Sequence, residues 1–487
     1  MKSKKFLMAL LLLVVCVGCV SAISAVSDED INNEVLKVDQ SDDIDSLGVD
    51  ENNLQGLAIS QDEIVLDSSN FEKVGVDAGA AASPEPAPAK LSPYEQFCKD
   101  LEENQGTIYL TGDIKISQEF VIKHPVVIDG NGHTIDAQHK SRIFKSTSTL
   151  TIKNLVLING KSSDKGGAIN AHGDLTVVNC KFVNNVAKGC GGAISIIYGH
   201  LTVTNCIFEK NSVESTGSAG YGGAIWVYSS SSKITGSTFT SNGCIAKSLK
   251  NHKKATSYKF NGGAITFSAG STHVVDNCKF NGNKASNHGG AIFVINSKSV
   301  KVNKCNFNKN RAAYEDGGAI SFAGKKLKIS NSIFKNNLAF EDGGAIDAYS
   351  VSGKKISIII SNCKFISNTA YKCAGAIWMG VKTSFNVANS QFIKNKANNA
   401  GAVETESGTT KFTKCTFTGN KAAKITSWTV KTKSGARLAH SGGAILVKNH
   451  CKIIKCKFKK NKAKYGNTVK VEGGKVTAKG NKGYSKK

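Results

Sequence analysis

Seven acidic side chains gather in one stretch of a chain that is otherwise strongly basic. Two Glu-Asp pairs, Glu315-Asp316 and Glu341-Asp342, each stand directly before a Gly-Gly-Ala-Ile tetrapeptide. Asp347 follows the Ile of one such tetrapeptide, and Trp378 and Glu404 hold the same place in the next two. Glu406 lies two residues beyond Glu404. Carboxylates gathered this way can do three kinds of chemistry. Lysines of neighbouring segments can simply neutralise them. Several carboxylate oxygens together can hold a hard cation, which makes Glu315, Asp316, Glu341 and Asp342 metal candidates, with calcium the candidate ion. A separated pair can act as general acid and base on a glycosidic bond. For that reading Asp342, Asp347 and Glu404 are the catalytic candidates, and Trp378 would stack on sugar. Against it, no paired-Asp motif of the polygalacturonase kind is present and no Arg stands beside the cluster.

A second candidate chemistry is polyanion binding. Three segments interrupt an otherwise even spacing: "VESTGSAGY" (213–221), "GCIAKSLKNHKKATSYKFN" (243–261) and "KAAKITSWTVKTKSGARLAHS" (421–441). Two are rich in Lys, Arg and His. Lys250, Lys253, Lys254, Lys431, Lys433, Arg437 and Trp428 are therefore binding candidates beside Trp378. Ser/His/Asp triads, phosphate loops and zinc spacings are absent.

What would position these residues is a repeat. Gly-Gly-Ala-Ile or a close variant begins at 166, 191, 222, 262, 289, 317, 343, 374, 400 and 442, and each is followed by Phe-x-x-Asn. Short alternating runs such as "LTVVNCKF" lie between, and period-two alternation means half-buried strands. A unit of two or three short strands cannot bury its own apolar face, but stacked units can. The expected fold is all-β: a right-handed parallel β-helix, a solenoid of roughly twelve coils over residues 92–487. Coils should stack at about 4.8 Å. Ile, the residue two beyond it and Phe should point inward. Asn185, Asn211, Asn242, Asn283, Asn310, Asn337, Asn368, Asn395, Asn420 and Asn461 should form a hydrogen-bonded ladder. The glycine pair suits positive φ or close backbone approach. Ahead of the repeats, "SPYEQFCKDLEEN" (92–104) reads as a short helix capping the open end, with Ser92 as N-cap and Phe97 and Leu101 on one face. In the stack, the residues before successive glycine pairs form a row: Asn261, His288, Asp316, Asp342, Cys373, Asn399. The place after Ile faces outward, which sets Asp347 and Glu404 two coils apart with an exposed Trp378 between them.

The pairing of Gly-Gly-Ala-Ile with Phe-x-x-Asn over about residues 107–475 resembles the repeat of chlamydial polymorphic outer membrane proteins. It also resembles the adhesin-like β-helix proteins of methanogenic archaea, which share an acidic leader after the export signal. The resemblance implies a surface protein that works by binding. Many β-helix proteins are pectinases or lyases, so a polysaccharide lyase or glycoside hydrolase is the alternative. A C-terminal membrane barrel is not expected after these repeats, a departure from the chlamydial pattern.

The remaining sequence bounds partners and place. Residues 27–97 carry 17 Asp/Glu against 3 Lys, whereas residues 98–487 carry 57 Lys/Arg against 20 Asp/Glu. Such a body attracts polyanions through a salt-screened field: polysaccharide, cell-wall polymer or host surface glycan, with nucleic acid bound only non-specifically. Lys2, Lys4 and Lys5 precede an apolar run from Phe6 to Val20, the pattern of a signal peptide over 1–25. Residues 26–91 read as an acidic disordered leader and linker. A secreted or cell-surface monomer with no membrane span after signal cleavage is the expectation. Seven cysteines share one repeat slot (Cys180, Cys206, Cys278, Cys305, Cys363, Cys415, Cys456), filled elsewhere by Ser237, Ser332 and Ser390. That interchange argues for small buried residues.

Overall fold

The structure is a computed structural model. It describes residues 90–486 apart from 104–105, 216–218, 247–258, 352, 354, 381, 407 and 424–440. The expected signal peptide, nearly all of the acidic leader, and Lys250, Lys253, Lys254, Trp428, Lys431, Lys433 and Arg437 lie outside the described residues.

The chain from Thr107 onward winds as a parallel β-solenoid of about 12 turns. Each full coil lends a strand to four parallel sheets, not to two or three. A 14-stranded sheet runs from Thr107–Tyr109 to Val476–Lys479. One 13-stranded sheet, from Phe120–Ile122 to Val469–Val471, takes the strands that begin at the Ile of the glycine motif. A second, from Ile114–Lys115 to Lys457–Lys459, takes the Phe strands. Ten short strands, from Lys161–Ser162 to Lys421–Ala422, follow the Asn.

Like residues stack because pairing is in register from coil to coil. Phe182 pairs with Phe208, then Phe239, Phe280 and onward. The ten rings stack face to face with centroids 4.7–5.0 Å apart, a spacing the strand ladder imposes. Beside them runs the asparagine ladder. The Asn310 Nδ2 donates to Asn337 Oδ1 at 3.0 Å and to the Phe280 carbonyl at 3.0 Å, while its Oδ1 accepts from the Asn283 backbone N–H and side chain. One buried amide thus satisfies all its hydrogen-bonding capacity and holds three coils, and the pattern recurs from Asn185 to Asn420.

The cysteine slot is more than a matter of size. Cys206 N–H donates to Ser237 Oγ, Cys305 N–H to Ser332 Oγ and Cys180 N–H to Cys206 Sγ. Each slot side chain in turn donates to the carbonyl two residues back. Ser and Cys can both accept and donate there, so they interchange. All twelve cysteines among the described residues are free thiols.

The glycine pair does two separate jobs. The first takes positive φ, as at Gly317 (+69°), and the second lies against the next coil. A Cβ on Gly318 would sit 2.2 Å from the Gly344 carbonyl oxygen. Single residues in the left-handed region also turn the chain at both ends of the Phe strand. Asn fills many of these corners, as at Asn179 and Asn184, but Lys304, Lys309, Lys394, Lys414, Lys455 and Lys460 do so too. At the N-terminal end the helix Pro93–Glu103 closes the core. Ser92 and Glu95 form its capping box. Phe97 is buried edge-on against Phe120, with centroids 4.9 Å apart.

Candidate functional site

The outer side of the sheet that carries the Ile strands is not open. The row after Ile (Ser321, Asp347, Trp378, Glu404, Leu446) is in register from coil to coil. Ser321, Asp347, Glu404 and Leu446 are fully buried and Trp378 half-buried. Residues entering the glycine pairs reach this row. Asn399 Nδ2 donates to Glu404 Oε2 at 3.1 Å, and the Thr266 hydroxyl donates to the Asn261 carbonyl. The expectation of Asp347 and Glu404 flanking an exposed Trp378 is therefore corrected. Strand alternation does put them opposite the core, but the returning chain covers them.

Asx residues in the row before the glycine pairs form a second ladder. Asn261 Oδ1 accepts the N–H of His288, Asp316 Oδ1 that of Asp342, and Asp342 Oδ1 that of Cys373. The acids of this row thus have a structural duty. Cations pair them further. Lys372 Nζ lies 3.0 Å from Glu341 and 3.9 Å from Asp342. His288 Nε2 lies 2.6 Å from Glu315 Oε2, and its Nδ1 3.6 Å from Asp316 Oδ2. Lys448 Nζ lies 2.8 Å from both Glu404 and Glu406. Of the four calcium candidates, Glu315, Glu341 and Asp342 are thus each engaged by a cationic side chain or imidazole. Asp316 keeps one oxygen beside His288.

Burial dominates the protonation of these acids. It pushes Asp342 and Asp347 well above the usual carboxylate range. It raises Asp316 to about 6, with His288 opposing. It also raises Glu404 against the pull of Lys448. Burial disfavours the imidazolium of His288, but the Glu315 hydrogen bond and the charges of Glu315, Asp316 and Glu341 outweigh it and raise His288. The same balance raises Lys372 through Asp342 and Glu341.

A catalytic pair must reach water and a polymer chain. Asp347 and Glu404 have no exposed surface, and Asp342 is 8 % exposed. This weighs against the acidic-groove reading. Sequence reasoning named the acids and set His288 in their row, but it did not pair them with His288, Lys372 or Lys448. His288 was legible, because it occupies the same repeat place as Asp316 and Asp342. Lys448 comes from a coil separated from Glu404 by a long insertion, which hides the pairing.

The basic surface has a different character. Lys301 stands beside Lys328, Lys411 beside Lys452, Lys284 beside Arg311 and Lys396 beside Lys421, each pair on adjacent strands. All but Lys396 are exposed. The stems of the three insertions belong to the ten-stranded sheet. The first two also pair with each other, Ala219–Tyr221 against Lys259–Asn261. They bury Val213, Cys244, Ala246 and Phe260 as a satellite core.

Comparison with known families gives three matches. Residues 89–187 match a pectate lyase-like adhesive domain, residues 169–392 the right-handed β-helix region, and residues 414–448 the Chlamydia polymorphic membrane protein repeat. No curated protein and no solved structure matches the chain.

Proposed function

We propose that this right-handed parallel β-helix repeat chain is an adhesin-like protein of a cell surface, and that its basic faces bind an anionic glycan or cell-wall polymer. The three family matches fit a surface adhesin-like protein. The observation that carries the ligand class is the set of like-charged neighbours across strands, Lys301 with Lys328 and Lys411 with Lys452. Directly opposed like charges destabilise a sheet. A polyanion lying along the stack relieves that repulsion, and the gain falls as salt rises. Lys250, Lys253, Lys254, Lys431, Lys433 and Arg437, with Trp428, stay binding candidates on the sequence alone, and export would place the protein outside the cell.

The test applies the full chain to immobilised polygalacturonate and to neutral dextran, measuring retention and newly formed chain ends together. Retention on the acidic polymer, lost at high salt and lowered at least several-fold in the quadruple variant Lys301→Gln, Lys328→Gln, Lys411→Gln, Lys452→Gln, with no new ends, is the expected result. Equal retention on dextran, or new ends that disappear in Asp347→Asn, would overturn it.

A further inference from the structure

We infer that His288, Asp316 and Asp347 form a binding site for a divalent transition metal, bridging three successive coils. One nitrogen of His288 and one carboxylate oxygen from each aspartate lie within 4.8 Å of one another. The argument rests on how the other atom of each side chain is employed. His288 Nε2 is held by Glu315 at 2.6 Å, which leaves Nδ1, buried and without a hydrogen-bond partner. Asp316 Oδ1 accepts the Asp342 N–H at 2.9 Å, which leaves Oδ2, 3.6 Å from that Nδ1. Asp347 Oδ2 accepts from Ser321 Oγ at 3.1 Å, which leaves Oδ1, buried without a partner on a residue with no exposed surface.

Each side chain therefore spends one atom on an orienting contact and keeps its other atom available, in a group whose ligand atoms lie within 4.8 Å of one another. That is how metal ligands are held: a carboxylate on the far nitrogen of a ligating imidazole fixes its tautomer, and hydrogen bonds fix the carboxylates. A separation of 3.6 Å suits two ligands that share one ion at about 2.0–2.2 Å each. The imidazole decides the class of metal. Calcium takes an all-oxygen shell, whereas a nitrogen with two carboxylates suits zinc and its first-row neighbours. Two aspartates balance the charge of a divalent ion. His288 and Asp316 are only partly covered, with side chains about one-fifth exposed. The ion can thus enter from solvent and keep water in its remaining positions. The site is independent of polyanion binding and differs from the four-carboxylate calcium set read from the sequence.

The experiment titrates Zn²⁺ into the chelator-treated full chain by calorimetry, with Co²⁺ absorption as the report on ligand type. Expected are one ion bound through nitrogen and oxygen, a rise in Tm with Zn²⁺, and affinity at least tenfold lower in both His288→Gln and Asp347→Asn. Ser321→Ala, which removes the contact that orients Asp347 and leaves all three ligands in place, should weaken binding by about 10–100-fold, and it keeps the question answerable if a ligand variant fails to fold. Binding that is unchanged in His288→Gln and Asp347→Asn, thiolate bands in the Co²⁺ spectrum, stabilisation by Ca²⁺ alone, or no binding would each overturn the assignment.

Discussion

His273 shows how one buried side chain ties stability to pH. It lies inside the solenoid without exposed surface, its ring stacked on Phe267 with centroids 4.1 Å apart. Ser232 Oγ lies 2.9 Å from Nδ1 and Ser297 Oγ 3.3 Å from Nε2. Burial lowers its pKa to about 4. Above pH 6.5 the residue is neutral in both folded and unfolded chains and contributes no pH dependence. As pH falls from 6.5 to 4 the unfolded chain takes up a proton that the folded chain refuses, so stability is lost, by about 3 kcal/mol across that window. The buried carboxyls with raised pKa act with opposite sign in the same range, so the readout is a difference. The urea midpoint of wild type minus that of His273→Gln should fall between pH 7 and 4, and a flat difference would contradict the argument. At this scale the sequence was legible wherever a residue recurred. Phe182, Asn310 and Gly318 announced their places by repetition. Asp347 did not, because alternation says which side of a sheet a residue faces and not what chain lies across it. The corner lysines, Lys304 and Lys309 among them, were also hidden, since nothing in lysine favours the left-handed region.

At the scale of the element, the glycine pair sets how closely coils approach. Gly318 has ordinary φ, yet an added Cβ would meet backbone of the next coil: the Gly344 oxygen at 2.2 Å and the Leu338 carbonyl carbon at 2.6 Å. Backbone cannot rotate away as a side chain can. Gly270 is the control. Its φ is +76°, but a Cβ there meets nothing within 4 Å. Gly270→Ala should cost about 1 kcal/mol, the ordinary penalty of a left-handed alanine. Gly318→Ala should cost about 3 kcal/mol or more, through overpacking that nearby groups cannot relieve. Thermal melts of the two variants side by side check this, and equal losses would show that conformation and not clearance is what the second glycine provides. The strands at the glycine and Phe motifs were legible from alternation. The fourth strand of each coil, such as Lys284–Ala285 or Arg311–Ala312, was not, because two residues are too few to display a period.

At the scale of the whole molecule, each strand among the described residues pairs only with strands of the adjacent coils, so stability is close to a sum of local terms and junctions. Amide hydrogen exchange should be slowest in coils flanked on both sides, around Ile320 and Ile346, and faster toward Val476–Lys479, which ends its sheet. Uniform protection along the chain would show that the solenoid opens as one unit. The asparagine ladder carries a wider consequence. Each rung hands an amide proton to the rung ahead and receives one from the rung behind, so every junction presents the same plug and the same socket. A coil can therefore be duplicated or deleted as a cassette without rewriting its neighbours. Each added coil carries the tip about 4.8 Å farther out. Length becomes a dial that heredity can turn one click at a time, separately from the side chains that the faces present.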